Sequence, residues 1–268
     1  MLALDIPPDV LQQYLPSQNL NIQDFIAFNF PSVASAKVTK GIYISTEPAT
    51  ACSDEIGTLL SMPVPTLPSV EDLVLCLRSA LLTARSVAVA SRLTKTVKHF
   101  PLWIITYWNK ISHIAKHREQ WLQADKALQQ LHTGGEDMQE VVDAVYETLN
   151  CLSWFGSMQG FTEADDIFHL HHFIGTKWLG TVQEDQMLDL LRLDISQHSP
   201  NLTGYTVQVT NFIPSLIQVF RCRKLSHCVP LHALGESLAT GVKKCVGTIM
   251  NCQGTHWAAD DLKVVSKG

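Results

Sequence analysis

The sequence predicts an α+β chain in which a mostly helical N-terminal region precedes a segment of mixed helices and strands. Three observations carry this. Ile104, Tyr107, Trp108, Ile111, Ile114, Trp121, Ala124, Leu128 and Leu131 recur every three or four residues, the period of one helix face. Met138, Val141, Val142, Val145, Leu149 and Leu152 repeat the pattern in a following helix. Beyond residue 175 the texture changes: "YTVQV" (Tyr205 to Val209) alternates with period two, and "CVGTIMN" (Cys245 to Asn251) is a short apolar run bounded by turn residues. Helices first and strands later is the order of an α+β domain behind a helical segment. With 268 residues, 46% of them hydrophobic, the chain can bury a sizeable core in one large domain or two smaller ones.

Taken in order, residues 1–46 mix short apolar and polar runs, and "KVTKGIYIS" (Lys37 to Ser45) reads as an isolated strand pair around Gly41. Residues 47–69 hold several prolines and no period, as a linker does, which places a boundary near residue 69. Ser69 followed by Glu71 and Asp72 is a helix-start signal, and a helix to about Ser91 is expected. The long helix follows Pro101, whose ring is tolerated in a first turn, and stops at "TGG" (Thr133 to Gly135). "VQEDQMLDLLRLDI" (Val182 to Ile195) is again helical. The expected division is 1–68 as a poorly defined segment with its Pro-rich linker, 69–152 as a helical region, and 153–268 as the mixed domain.

Charge is distributed in blocks. The net charge is −5 and the pI near 6.1, so nothing global draws the chain to nucleic acid or an anionic membrane. Residues 76–130 nevertheless carry nine basic and two acidic side chains, whereas 131–200 carry two and twelve. The N-terminus "MLALDIPPDV" lacks the basic start and apolar run of a secretory signal. The most apolar stretch is interrupted by Arg78, Arg85 and Arg92, so no membrane span is expected. Seven cysteines without a Cys-x-x-Cys pair point to reduced thiols and an intracellular protein of nucleus or cytoplasm.

The stretch "KWLGTVQEDQMLDLLRLDI", followed downstream by "VGTIMNCQGTHW", resembles the catalytic domain of the ubiquitin-like protein protease family, the SUMO-specific cysteine peptidases. In that family a tryptophan-leucine pair opens a helix, and an apolar strand later leads through a loop into a His-Trp pair. The upstream pattern, "FPLWIITYWNKI" through "LNCLSWFGSMQGF", is similar to fungal proteins associated with mobile elements. The resemblance spans roughly residues 175–258. It implies that 153–268 is part of a papain-like cysteine protease domain acting on a ubiquitin-like modifier or its conjugates, without a cofactor or metal. By position His256 matches the catalytic base, which takes the proton of a cysteine thiol. Trp178 and Trp257 match the two indoles that flank the channel for the substrate's Gly-Gly tail.

Departures from the family pattern set further expectations. Gly180 and Thr181 stand where the family commonly has Asn-Asp, with Asp185 as a substitute nearby. The resemblance implies an orienting aspartate on the next strand and a nucleophile in an Asp-Cys-Gly setting, and neither lies between His256 and Gly268. Asp260 and Asp261, at roughly 3.3 Å per residue of extended chain, are expected about 13–16 Å from His256. None of Cys52, Cys76, Cys151, Cys222, Cys228, Cys245 and Cys252 precedes a glycine, and Cys252 is expected to be as distant from His256 as the aspartates are. The expectation is a C-terminally truncated domain that does not cleave.

Other clusters have plainer readings. "FHLHHF" (Phe168 to Phe173), and His113 with His117 at helical spacing, lack the Glu of His-Glu-x-x-His, so ordinary part-buried histidines are expected. The basic segment from Arg78 to Lys126 reads as a solvated helix face against the acidic neighbours at 136–147. The alternative function is a non-enzymatic helical interaction protein derived from a mobile element, in which the helices from 70 to 152 do the binding; phosphate contact through the basic segment would extend it to nucleic acid, which is otherwise not an expected partner. No Walker loop, zinc finger or RNA-recognition motif accompanies it.

Overall fold

A computed structural model describes residues 4–33, 41–90, 96–175, 179–198, 204–222, 228–252 and 256–263. The chain divides into two compact units, Met1–Gly156 and Ser157–Gly268. Helices and small sheets occur in both, so the α+β class holds for the whole chain.

The N-terminal unit is built on one long helix. Short helices α1 (Pro8–Tyr14) and α2 (Ile22–Ala27) come first. The Asn21 side chain caps α2 by accepting from the Asp24 amide at 2.7 Å. Strand β1 (Ile42–Ser45) precedes α3 (Ser53–Leu60) and α4 (Leu67–Ser79), and strands β2 (Ser86–Ala90) and β3 (Val97–Phe100) follow. These strands form an antiparallel sheet of order β1-β2-β3, with Ile42 opposite Val89 and Val87 opposite Phe100. Helix α5 (Trp103–His132) and helix α6 (Glu136–Cys151) complete the unit.

Helix α5 buries the stripe its spacing predicts, including Ile104, Tyr107, Ile111, Ile114, Trp121, Ala124 and Leu128, and packs against α4 and α6. Each fully buried large apolar side chain of this kind contributes about 1.5–3 kcal/mol. Burial, and secondarily Tyr14, pushes the Tyr107 phenol up to about 12. On α6 only Val142 and Leu149 are buried, while Met138 and Val141 of the predicted stripe remain exposed. The Tyr146 hydroxyl donates to Asp125 at 3.0 Å, tying α6 to α5. The unit closes on its own beginning: Trp154 stacks on Phe25 with ring centroids 4.2 Å apart, and its indole donates to the Ser17 carbonyl at 2.8 Å.

Four expectations differ from the structure in whole or in part. The boundary near residue 69 does not separate units, because residues 1–68 supply helices and an edge strand to the same unit as α5. The stretch 47–69 is not a continuous linker: Pro48, Pro63 and Pro65 lie outside helices, but Pro68 lies in the first turn of α4, and α3 forms within the stretch, opened by Glu55, which accepts from the Cys52 amide at 3.0 Å. The helix expected to reach Ser91 ends at Ser79. "SVAVA" (Ser86 to Ala90) is instead the central strand, its β-branched Val87 and Val89 suited to a pleated surface, and the preceding Arg85 amide donates to the Ser45 carbonyl at 2.9 Å. The strand pair expected around Gly41 is half seen: Ile42–Ser45 forms, its partner is the distant β2, and Lys37 to Lys40 lie outside the described residues.

The C-terminal unit begins with a two-stranded ribbon, β4 (Ser157–Met158) and β5 (Asp165–Asp166). A 3-10 turn (Ile167–Leu170), the short helix α7 (His171–Ile174) and helix α8 (Thr181–His198) follow. Strand β6 (Tyr205–Val207), helices α9 (Phe212–Cys222) and α10 (Val229–Ala239), and strands β7 (Cys245–Cys252) and β8 (His256–Lys263) complete it. The sheet order is β6-β7-β8, with β6 parallel and β8 antiparallel to β7. Val246 of β7 is fully buried and clusters with Phe212 of α9 and Leu231 of α10. Among the described residues no helix is long and apolar enough to cross a membrane.

Candidate active site

The predicted base stands at the first position of β8. β7 forms because "CVGTIMN" is apolar on both sides of the strand: Cys245 and Val246 are buried, and Thr248 is too, with its hydroxyl 3.3 Å from the Val209 carbonyl. β8 runs back along β7 with Val246 opposite Leu262, Thr248 opposite Asp260, Asn251 opposite Trp257 and Cys252 opposite His256. Asp260 and Asp261 therefore lie down the same strand from His256, opposite Thr248 and Gly247, away from its end of the hairpin. Trp178 lies outside the described residues.

Cys252 is placed differently from the expectation. The separation expected of it assumed that the chain continues extended through residues 252–256. β8 runs antiparallel to β7, and Cys252 and His256 are register partners. Directly opposed residues of an antiparallel pair have Cα atoms about 4.5–5.5 Å apart. The juxtaposition is a property of the backbone register and arises without any Asn-Gly or Asp-Gly signal in the sequence.

The start of α8 is held by polar contacts that the sequence only partly exposes. The Gly180 amide donates to Gln183 Oε1 at 3.2 Å. Asp185 is buried and accepts from the Thr210 amide at 2.6 Å, just before α9 begins. Its carboxylate thus joins α8 to the β6–α9 loop. The Gln186 side-chain amide and the Thr210 hydroxyl are buried without hydrogen-bond partners among the described residues.

Glu184 beside Asp185 has its carboxyl raised above the ordinary 4.5, by burial first and by the Asp185 charge second. The folded chain therefore holds this proton more tightly than the unfolded chain. Stability present below the ordinary carboxylate value is lost as pH rises through the folded value. Glu184→Gln removes that loss, so its Tm is expected to match or exceed the parent's at pH 7 and to converge with it below pH 4.5 in thermal scans across pH.

A triad-like constellation that sequence reading missed sits in the N-terminal unit. The Ser86 hydroxyl lies 3.1 Å from His99 Nδ1, and His99 Nε2 lies 3.2 Å from Glu47 Oε2. Ser86 is fully buried and its hydroxyl donates to the Glu47 carbonyl at 2.7 Å, so its oxygen is out of reach of a substrate. The arrangement fastens the loop after β1 to the sheet. The Thr50 and Ala51 amides, which both donate to the His99 carbonyl at 2.9 and 3.1 Å, do the same.

The remaining candidates resolve as follows. An open cleft of about 890 Å³ lies beside α8 and β6, with Phe161, Leu190, Leu193 and Tyr205 on its walls. Its Asp189 and Arg192 pair with each other, and Asp189 also accepts from the Thr162 amide at 2.7 Å, so these two charges serve the fold. On α5, Lys110, Lys116 and Lys126 are exposed, whereas Arg118 donates to the Ile26 carbonyl at 2.7 Å and lies over the Phe30 ring. Among the described residues no group of three or more His, Cys, Asp or Glu is placed to hold a metal ion. The geometry stands without a relative to lend it a role: no protein-family model matches the chain, and no curated protein and no solved structure matches it either.

Proposed function

We propose that the chain is a ubiquitin-like-protein-specific cysteine peptidase by descent, whose C-terminal unit is part of a papain-like domain that recognises a SUMO-type modifier. The observation that carries this reading is the β7–β8 hairpin, in which an apolar strand returns into a strand opened by His256 and Trp257, downstream of helix α8. That order of elements supports the resemblance, which rests on sequence motifs alone. In the complete reaction a thiolate attacks the carbonyl after the Gly-Gly tail, the imidazole having taken the thiol proton, and water then opens the acyl-enzyme. In this reading His256 is the base and Trp178 and Trp257 border the tail.

A polypeptide of these 268 residues is expected to bind the modifier without cleaving it, since no cysteine in it has the Asp-Cys-Gly setting. Binding of a fluorescent SUMO-type modifier, weakened about tenfold by Trp257→Ala, is the result expected from the loss of an aromatic contact. Absence of binding to any ubiquitin-like modifier overturns the reading. Cleavage that disappears on His256→Ala upholds the family while overturning the expectation of inactivity, and a thiol-reactive modifier probe then tests Cys252, the register partner of His256.

The second reading, a non-enzymatic interaction protein, draws on the exposed Lys110, Lys116 and Lys126 along α5. It is distinguished by retention on DNA that falls steeply with salt and by indifference to the modifier.

A further inference from the structure

The histidine cluster of the C-terminal unit contains one imidazole whose donor atom is fixed by its neighbours. Asp165 Oδ1 lies 2.5 Å from His169 Nδ1. A carboxylate only accepts, so Nδ1 is the nitrogen that donates in this contact and Nε2 is the ring nitrogen that Asp165 does not engage. Asp165 is itself held: its Oδ2 accepts from Gln183 Nε2 at 3.0 Å and its Oδ1 from the Asp166 amide at 2.9 Å. Gln183 in turn is anchored by the Gly180 amide at 3.2 Å. A carboxylate that orients an imidazole through the nitrogen not used for ligation is the support found behind metal-bound histidines, where it fixes the tautomer and raises the ring's basicity.

A second imidazole lies beside it. His172 follows His169 by three residues, across the junction of the 3-10 turn and α7, and side chains three apart eclipse in 3-10 geometry. The His169 and His172 ring centroids are 5.8 Å apart. Two imidazoles on one tetrahedral ion, with metal–nitrogen bonds of about 2.0–2.1 Å, place their centroids about 5–6 Å apart. His171 is the structural member of the cluster, buried with its Nδ1 2.7 Å from the Phe168 carbonyl.

We propose that His169 and His172 form a two-imidazole site for a divalent transition-metal ion of the Zn²⁺ or Ni²⁺ type, with Asp165 as the orienting carboxylate and water completing the coordination. The site is independent of the peptidase reading, because it uses neither His256 nor a cysteine. His169 is about one-third exposed, which gives an ion access.

The test titrates the full chain with Ni²⁺, which favours imidazole and reports less on the thiols, and follows it by calorimetry and by the histidine side-chain resonances. One ion per chain is expected, with the His169 and His172 signals perturbed together. His172→Ala is expected to weaken binding at least tenfold, and Asp165→Asn by about ten- to a hundredfold, the usual effect of removing an orienting partner. His232→Ala, at an exposed histidine elsewhere in the unit, is expected to leave it unchanged. Circular dichroism of each variant controls for folding, and His172→Ala decides the matter if Asp165→Asn does not fold. Binding unaffected by His172→Ala, or no binding at millimolar Ni²⁺, overturns the proposal.

Discussion

Replacing Trp121 with alanine is expected to destabilise the N-terminal unit by about 3–5 kcal/mol, the range for truncating a buried large aromatic. Trp121 is fully buried at the middle of α5, the helix against which α4 and α6 pack. Its removal leaves a cavity lined by a rigid helix face that has little freedom to collapse. Urea denaturation followed by circular dichroism measures the loss. A value under about 1 kcal/mol would mean that α5 does not hold the unit together, and the core assignment would fail. The exposed Leu131 on the same helix provides the contrast, since its alanine variant is expected to change stability by less than about 0.5 kcal/mol.

Asp185→Ala is expected to cost the C-terminal unit about 1.5–3 kcal/mol, the worth of a hydrogen bond to a charged group whose partner is then left buried and unpaired. The carboxylate is 5% exposed and accepts from the Thr210 amide at 2.6 Å, so the variant strands that N–H between α8 and α9. Asp185→Asn retains an acceptor and is expected to recover part of the loss. Hydrogen exchange at the Thr210 amide is the specific readout: it should accelerate in the alanine variant well beyond its neighbours. Equal exchange in parent and variant would show that the amide finds its stability elsewhere.

How far the sequence revealed this molecule depended on the range of the interactions involved. Helix α5 was legible because its signal is local: ten or so apolar residues at one spacing outweigh any competing preference, and Pro101 and "TGG" bound it. Strand β2 was missed because a short apolar run following a helix has no period of its own. What makes it a strand is pairing with β1 and β3, and β1 lies far back in the chain. Pro68 misled for a related reason, since a proline in a first helical turn and a proline in a linker are the same letter.

The sites followed the same division. The strand that His256 opens was recognisable from its local pattern, an apolar run followed by a second strand. Its juxtaposition with Cys252 depends on a chain reversal with no turn signature. Ser86, His99 and Glu47 meet only after a three-stranded sheet has formed, and no local pattern announces them. Asp165 and Gln183 were likewise invisible as supports of His169, because their bond spans 18 residues between a ribbon and a helix.

The stack of Trp154 on Phe25 bears on how the protein is made. The indole's hydrogen bond to the Ser17 carbonyl closes a loop of 137 residues, so the earliest part of the chain receives its cover last. At a synthesis rate of about 5–20 residues per second, Phe25 waits on the order of 6–26 s after leaving the ribosome before Trp154 arrives. Throughout that interval Phe25 has its edge contact with Phe30 but not the stack it makes in the finished unit, so the beginning of the chain is completed only after residue 154 has emerged.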